Sequence, residues 1–474
     1  MYLFILCGMV LLGHEEERIM NGLYLINYSV KGIKALDQTV SLSFYKKTIT
    51  KPVDFRNYNI KGIYGINGSG KSAIITSVKI FRNLIVDRDY LNNPIVQRQL
   101  RELINKNVSK MEFSADFLLN RGNILRLYHY EVVVNKEKGD RLVIGSESLS
   151  SKLASSRSDY MEQRFEVREG RVTSIVSKDK EVADSLIDKT KNLLNGATLS
   201  SLFLEWLTNS KIEKYILHNE PVSFDLLVLY SLGISIFVYL DQTDDHTDYF
   251  ISGAMNDTDD NDDEKAINEM LQGLYDLKKP RRNEISINKR AVLKKNIDEY
   301  EKRIERLYGF ISIFKRDLKS IVIDKTEDKD QYICNLVMQY ENYRFSAEFE
   351  STGIKKLIKL YEFFNEMAAG NIVFIDELDS NLHDVYLCAL LEYLMEYGQG
   401  QLCFTTHNIG PMDVLKRNKK SIDFLSVNHK IYPWVKNGNY SPANLYKNGM
   451  IEGSPFNIDS TDFIGVFSTE EGEE

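Results

Sequence analysis

"GIYGINGSGKSAII", residues 62 to 75, decides how this 474-residue chain is read. Asn59 to Tyr64 carries isoleucines and a tyrosine suited to a buried strand. From Ser72 onward, Ala73, Ile74, Ile75, Val78, Ile80 and Phe81 give the broad apolar face of a helix. Strand, glycine loop and helix is the order in which G-x-x-x-x-G-K-S holds a phosphate. Gly65 and Gly70 frame the pattern, and residues without a Cβ let backbone N–H groups converge on a β-phosphate at a helix N-terminus. The cradle comprises Asn67, Gly68, Ser69, Gly70, Lys71, Ser72 and Ala73. Lys71 is suited to the β- and γ-oxygens, and the Ser72 hydroxyl to one position on Mg²⁺. The chemistry expected of such a loop is ATP binding.

Three further stretches extend this reading. "NIVFIDELDS", residues 371 to 380, is a four-residue apolar run (Ile372 to Ile375) that delivers Asp376 and Glu377 at its tip. A doubly wound sheet gathers its ligands at such strand ends. Asp376 is the expected Mg²⁺ residue, acting through water, and Glu377 the expected base for the attacking water. "QLCFTTHNIG", 401 to 410, repeats the pattern: Leu402 to Phe404 end in Thr405, Thr406 and His407. Parallel strands would bring His407 to the same sheet edge, where it can meet the γ-phosphate. "FESTGIKKLIKLYEFF", 349 to 364, sets a Ser-Thr-Gly turn before a helix with Ile354, Leu357, Ile358, Tyr361 and Phe364 on one face. Ser351 and the N–H of Gly353 would form a second anion-binding end. One phosphate site does not need two such ends, but an ATP sandwiched between two chains does. An ordinary N-cap before an amphipathic helix is the alternative.

Composition bounds the rest. A content of 43% hydrophobic residues fills one large core or two, and a net charge of −8 gives no global attraction to nucleic acid. Cys7, Cys334, Cys388 and Cys403 are far apart with no C-x-x-C pair, which speaks for a reducing cytoplasm and against a zinc site or disulfide framework. "MYLFILCGMVLLG" has no basic start, runs into "HEEER", and is too short at thirteen residues to span a bilayer of about 30 Å. Residues 1–19 therefore read as an upstream start or peripheral extension, or as an apolar segment that packs on a partner or a membrane surface.

In order, "GINGSGKS", "ESTGIKKL", "FIDELDSNLH" and "TTHN" resemble the ABC-type ATPases of the overcoming-lysogenization-defect (OLD) kind and their stand-alone relatives in bacterial anti-phage defence, including the RloA-like, AbiL-like and PARIS-system ATPases. The resemblance runs from about Met20 to Phe467. It implies an α/β fold, a P-loop ABC-type ATPase head with an antiparallel β subdomain and an inserted helical lobe bearing a short coiled-coil arm. It also implies that Ser351 contacts the γ-phosphate of a neighbouring protomer and that Ser380 to His383 signal across the dimer. A metal-sensing glutamine is expected near Gln97 or Gln99, with neither fixed by the pattern.

The implied boundaries are 20–180 for the N-terminal half of the head, 181–320 for the helical insertion and 321–474 for the C-terminal half. Hairpins are expected around Asn120–Asn123 and at Glu169-Gly170. Residues 241–264 hold nine aspartates and one glutamate with no lysine or arginine, an expected mobile loop. Residues 278–319 reverse the sign, with fourteen Lys/Arg against six Asp/Glu. Within them Leu293, Ile297, Tyr300, Ile304, Leu307 and Ile311 form a heptad seam, read as the coiled-coil arm. "KKPRR" and this basic helix can hold a nucleic acid or an acidic protein, or pair with the neighbouring aspartates.

OLD nucleases carry a metal-binding nuclease domain after the ATPase, with an Asp-x-Asp pair; residues 408 to 474 contain none. The resemblance thus implies an ATP-hydrolysing sensor and scaffold of an anti-phage, abortive-infection system. It would work as a cytoplasmic homodimer or larger oligomer of ATP-sandwich dimers, without a membrane, controlling a separately encoded effector such as a nuclease. A phage protein or nucleic acid would be the trigger. The second reading is a DNA-repair or recombination ABC-type ATPase acting through the basic arm. A transporter motor is a weaker third, because Leu-Ser-Gly-Gly-Gln is missing.

Overall fold

In the computed structural model, which describes residues 22–49, 53–121, 124–137, 139–209, 220–240, 285–435 and 440–454, β3 (Ile60–Tyr64) is buried along its whole length. It lies inside a six-stranded sheet ordered β17-β16-β3-β15-β14-β9, with β9 spanning Ile236–Tyr239, β14 Ile372–Ile375, β15 Gln401–Thr405, β16 Ile422–Leu425 and β17 Ile431–Pro433. All neighbours run parallel except the β16–β17 hairpin. The unbroken apolar runs of β14 and β15 follow from cover on both faces. Ile63, Phe374 and Cys403 point to a core shared with α1 (Lys71–Val86); Tyr64, Val373, Ile375 and Phe404 point to one shared with α7 (Thr352–Ala368) and α8 (Asp384–Tyr397).

The α1 side is closed by a seven-stranded antiparallel sheet ordered β2-β1-β4-β5-β6-β7-β8. Its strands are β1 (Leu23–Lys31), β2 (Val40–Ser43), β4 (Lys110–Arg121), β5 (Ile124–Lys136), β6 (Leu142–Leu153), β7 (Glu162–Arg168) and β8 (Arg171–Ile175). Both expected hairpins are present, pairing Arg121 with Ile124 and Arg168 with Arg171. At the second, Glu169 and Gly170 have φ of 48° and 72°, the left-handed pair that a two-residue hairpin turn demands. Gln401 fastens the two sheets together: Leu25 N–H donates to its Oε1 at 2.7 Å, and its Nε2 donates to the Leu25 carbonyl at 2.9 Å. Those backbone groups sit beside a bulge between Leu25 and Asn27, where the strand ladder leaves them open.

The structure departs from the sequence reading in the middle of the chain. Helices α3 (Lys180–Thr190), α4 (Leu199–Asn209) and α5 (Pro221–Ser235) bury their apolar faces in the α1 core, not in a separate inserted lobe. Helix α5 leads directly into β9, which pairs with β14 from Ile236↔Ile372 to Tyr239↔Ile375. Gly233 permits the approach, since a Cβ there would stand 2.5 Å from the Val86 side chain. The heptad seam is also not a coiled-coil arm. In α6 (Ile297–Phe314), Tyr300, Ile304, Leu307 and Ile311 are buried against Val292, Leu336 and Met338 and against Ile354, Leu357 and Tyr361 of α7. Val292, Leu336 and Met338 belong to a small antiparallel sheet of β10 (Arg290–Leu293), β11 (Ser320–Asp328), β12 (Gln331–Gln339) and β13 (Arg344–Ser346). An apolar stripe of heptad period fits a sheet face as well as a second helix, and the sheet is what folds beside it. Several charges of this tract are internally paired: Arg303 with Glu362 at 2.6 Å, and Lys294 and Lys325 with Glu327 and Glu301. The extension 1–19, the acidic loop 241–264, the 278–282 cluster and the tail beyond 454 lie outside the described residues.

Candidate nucleotide site

The loop after β3 has the backbone that its glycines foretell. Gly68 and Gly70 adopt φ of 80° and 104°, and a Cβ on Gly65 would collide with the Leu425 carbonyl at 2.5 Å and Ser69 Oγ at 2.9 Å. Asn67 and Gly68 are exposed at the crest, Ser72 is half-buried, and Ala73 is buried in the core. Lys71 begins α1 and folds back over the loop, donating from Nζ to the carbonyls of Gly65 at 2.8 Å and Ile66 at 3.1 Å. Burial pulls its ammonium down to about 8, against the opposing pull of Asp376, Glu377 and Asp379. It remains mostly charged at neutral pH, held by weak carbonyl partners that a phosphate oxygen would outcompete. Ser69 Oγ is buried without a hydrogen-bond partner.

Adjacent strands bring the other tips alongside. The pairs Ile375↔Phe404 and Thr405↔Ile63 align the ends of β14, β15 and β3 to within about one residue, so that Asp376, Thr405 and the phosphate loop share one edge. Thr405 then does what its sequence position did not announce. Its hydroxyl donates to Asp376 Oδ1 at 2.5 Å and accepts from the Glu377 N–H at 2.8 Å. The first bond fixes the Asp376 rotamer, and the second holds Glu377 in the left-handed conformation, φ 47°, that is unusual for a residue with a side chain. Glu377 is exposed at the tip while Asp376 is buried. His407 lies two residues beyond β15; burial and the Lys71 cation lower its basicity, opposed by Asp379, Glu377 and Asp376.

The Ser-Thr-Gly turn is built as expected locally. Ser351 caps α7, its Oγ accepting from Ile354 N–H at 3.4 Å. The carboxylate of Glu350 braces the turn, accepting from Ser351 N–H at 3.0 Å and from the Tyr340 hydroxyl. Gly353 lies against the turn that follows β14, where an added Cβ would be 2.5 Å from the Asn381 carbonyl. Lys356 crosses from α7 to the same turn, donating to the Glu377 carbonyl and Ser380 Oγ. Among the described residues no hydrogen bond links Ser351 or Gly353 to residues 65–73. The Ser-Thr-Gly turn thus meets the acidic turn after β14, through Lys356 and the close approach of Gly353 to Asn381. Gln97, one of the two glutamines considered for metal sensing, is engaged elsewhere: its Nε2 donates to the Leu91 and Leu142 carbonyls, and its Oε1 accepts from Leu142 N–H at 2.9 Å. Its amide ties α2 (Pro94–Leu103) to Leu142 at the start of β6 and to Leu91 before the helix. Sequence reasoning passed over Thr405, Asp379 and Lys356; only the hydroxyl of Thr405 beside an acidic strand tip offered a signal.

Among the described residues, no helix is long and apolar enough to cross a membrane. No family model matches the chain, and no curated protein matches it. Among solved structures, that of the recombination mediator protein RecF with ATPγS, from the RecFOR pathway, aligns over 87% of this chain and 99% of its own at 12% identity, with a TM-score of 0.31.

Proposed function

We propose that this chain binds and hydrolyses Mg²⁺-ATP as an ABC-type ATPase whose catalytic sites are completed by a second copy. The observation that supports it is the convergence of four elements at one sheet edge. These are a glycine loop with left-handed Gly68 and Gly70, a buried lysine folded over it, the Asp376–Glu377 tip and His407. In this reading Lys71 and the loop amides hold the phosphates, Glu377 activates water and His407 contacts the γ-phosphate. Ser72 and Asp376 would hold Mg²⁺, a cation that accepts one or two protein oxygens and completes its shell with phosphate and water. Ser351 and Gly353 would serve the nucleotide of the partner, because among the described residues no hydrogen bond joins them to the chain's own loop.

The sandwich makes hydrolysis report on assembly, a property suited to a sensor and scaffold in anti-phage defence that restrains a separate toxic effector in the cytoplasm. Static light scattering of the purified chain with and without Mg²⁺-ATP tests the first part. ATP-dependent doubling of mass is expected, and an unchanged mass at saturating nucleotide rejects the sandwich. Affinity capture from phage-infected and uninfected cells tests the second. Recovery of a nuclease or toxin lost on infection is expected, whereas hydrolysis stimulated by DNA ends with no such partner would favour the repair reading.

A further inference from the structure

The edge of the six-stranded sheet away from the phosphate loop gathers cations that the ATPase chemistry does not use, in a chain whose net charge is −8. The parallel strands β3 and β16 begin there, at Ile60 and Ile422, a strand length of about 17 Å from the nucleotide end. Two connections meet at this edge, the one that leads into β3 and residues 416–421, which lead into β16. Lys419 N–H donates to the Asn57 carbonyl at 2.9 Å, and Asn418 Nδ2 donates to Asn59 Oδ1 at 2.9 Å and to the Arg56 carbonyl at 3.4 Å. Lys420 Nζ reaches Ser43 Oγ, at the end of β2, at 2.7 Å. Beneath them the buried Lys61, paired with Asp423 at 2.7 Å, donates to the Lys420 carbonyl at 2.5 Å. Ser421 Oγ bonds the carbonyls of Leu415 at 2.5 Å and Asn418 at 3.0 Å. The turn is thus braced from below, and Lys420 is held in it at φ 53°. Glycine or asparagine is less strained in that region, so a cation stands where the backbone does not favour one.

Arg56 and Lys419 are exposed on this surface, and Lys46 and Lys420 are half-buried. Asp54 is the acid that faces Lys419 and Lys46, but its carboxylate already accepts from Asn57 N–H at 3.3 Å and Asn57 Nδ2 at 2.8 Å. The neighbouring Lys416 and Arg417 are paired with Asp413 and Glu392, each at 2.8 Å, whereas among the described residues Arg56, Lys419 and Lys420 form no ion pair. The rings between the cations are covered. Tyr24 stacks on Phe55 at 3.4 Å, Tyr45 packs on Tyr58 at 4.6 Å, and Lys46 and Lys419 lie over Tyr45 and Tyr58. Rings committed to one another do not offer the stacking faces that unpaired bases require, which leaves the charged groups as the contact.

We propose that this edge binds the phosphate backbone of a nucleic-acid duplex through Lys46, Arg56, Lys419 and Lys420. Arg56 presents a fork that can take two phosphate oxygens, and the lysines act as point charges. Phosphates paired with them release their counterions, which favours binding without regard to sequence. The braced turn loses little freedom when it is bound. The site lies a strand length from the nucleotide and does not rest on the ATPase reading; where that reading holds, it gives the head an input from nucleic acid.

Fluorescence anisotropy of labelled mixed-sequence DNA and RNA duplexes, and of a single strand, with the nucleotide-free full chain tests this. A duplex should bind, and with four phosphates met its affinity should fall about 100-fold between about 50 and about 200 mM KCl. Binding by both duplexes, or by one above the other, supports the proposal and names the source of the phosphates. The triple variant Lys46→Ala, Arg56→Ala, Lys419→Ala should weaken binding at least about tenfold and lower the slope of log affinity against log salt by about two to three. Exchanging the cations (Lys46→Arg, Arg56→Lys, Lys419→Arg) should keep affinity within about threefold, and Lys302→Ala with Arg306→Ala on α6 should leave it unchanged. An unchanged salt slope in the folded triple variant overturns the proposal, as does loss through the α6 pair instead. Tighter binding of the single strand, or binding of phosphatidylserine vesicles with none of a duplex, overturns it as well. Lys71→Ala should bind duplex like the parent; if it also keeps its ATP affinity, the ATPase reading fails and this one stands.

Discussion

Thr405 Oγ1 donates to Asp376 Oδ1 and, in the same position, accepts the backbone N–H of Glu377 at 2.8 Å. One hydroxyl thus sets both the carboxylate suited to Mg²⁺ and the strained backbone of the candidate base. Thr405→Val keeps the shape and removes both bonds. Each buried group left unpaired costs about 1–3 kcal/mol, so a lower melting temperature is expected together with a fall in hydrolysis of about 10–100-fold. Thr405→Ser should recover most of both. Calorimetry and a phosphate-release assay check this, and a fully active valine variant would mean that Asp376 and Glu377 need no such anchor.

Lys71→Ala removes the ammonium that lies over the loop, leaving the Gly65 and Ile66 carbonyls to water. Loss of ATP binding by at least about 100-fold is expected, with little change in melting temperature because the partners of Lys71 are weak. Isothermal titration with ATPγS measures it.

Glu377→Gln preserves size and the Thr405 bond to the backbone while removing the base. Nucleotide should bind normally, turnover should fall by about 10²–10⁴-fold, and the ATP-loaded dimer should persist through gel filtration. Ser351→Arg should leave binding intact and block both dimer and hydrolysis. If the arginine variant hydrolyses at the parental rate, Ser351 is only the N-cap that it forms to Ile354.

Glu147 gives a pH prediction independent of the nucleotide. It is fully buried, accepts from Leu199 N–H at 2.6 Å and the Tyr130 hydroxyl at 3.0 Å, and burial pushes its carboxyl up to about 7. A carboxyl raised on folding binds its proton more tightly in the native state. Its stabilisation is complete below the unfolded value near 4.5 and is lost as pH rises toward about 7. The parent should therefore lose stability between pH 5 and 7 more steeply than Glu147→Gln, by a margin on the order of a few kcal/mol, seen as a steeper fall of its melting temperature. Scanning calorimetry across that range decides it; parallel curves would remove Glu147 from the account.

How much of this was legible in the chain depends on the range of the forces involved. The loop at 62–75, the apolar runs ending in Asp376 and His407, the Ser351 cap and both hairpins are local patterns. Glycine conformations, strand alternation and helix capping act over a few residues and are written in adjacent positions. Tertiary structure alone decided what those elements meet. The stretch from 181 to 240 has helical spacing whether it forms a separate lobe or the head's own core, and only the pairing of Ile236–Tyr239 with β14 selects the core. The seam from Tyr300 to Ile311 reads the same against a helix or a sheet, and Gln97 looks available until its amide is seen tied to Leu91 and Leu142. Thr405 became a site residue in the same way, because Asp376 and Glu377, 29 and 28 residues away in sequence, meet its hydroxyl only once the strands are laid side by side.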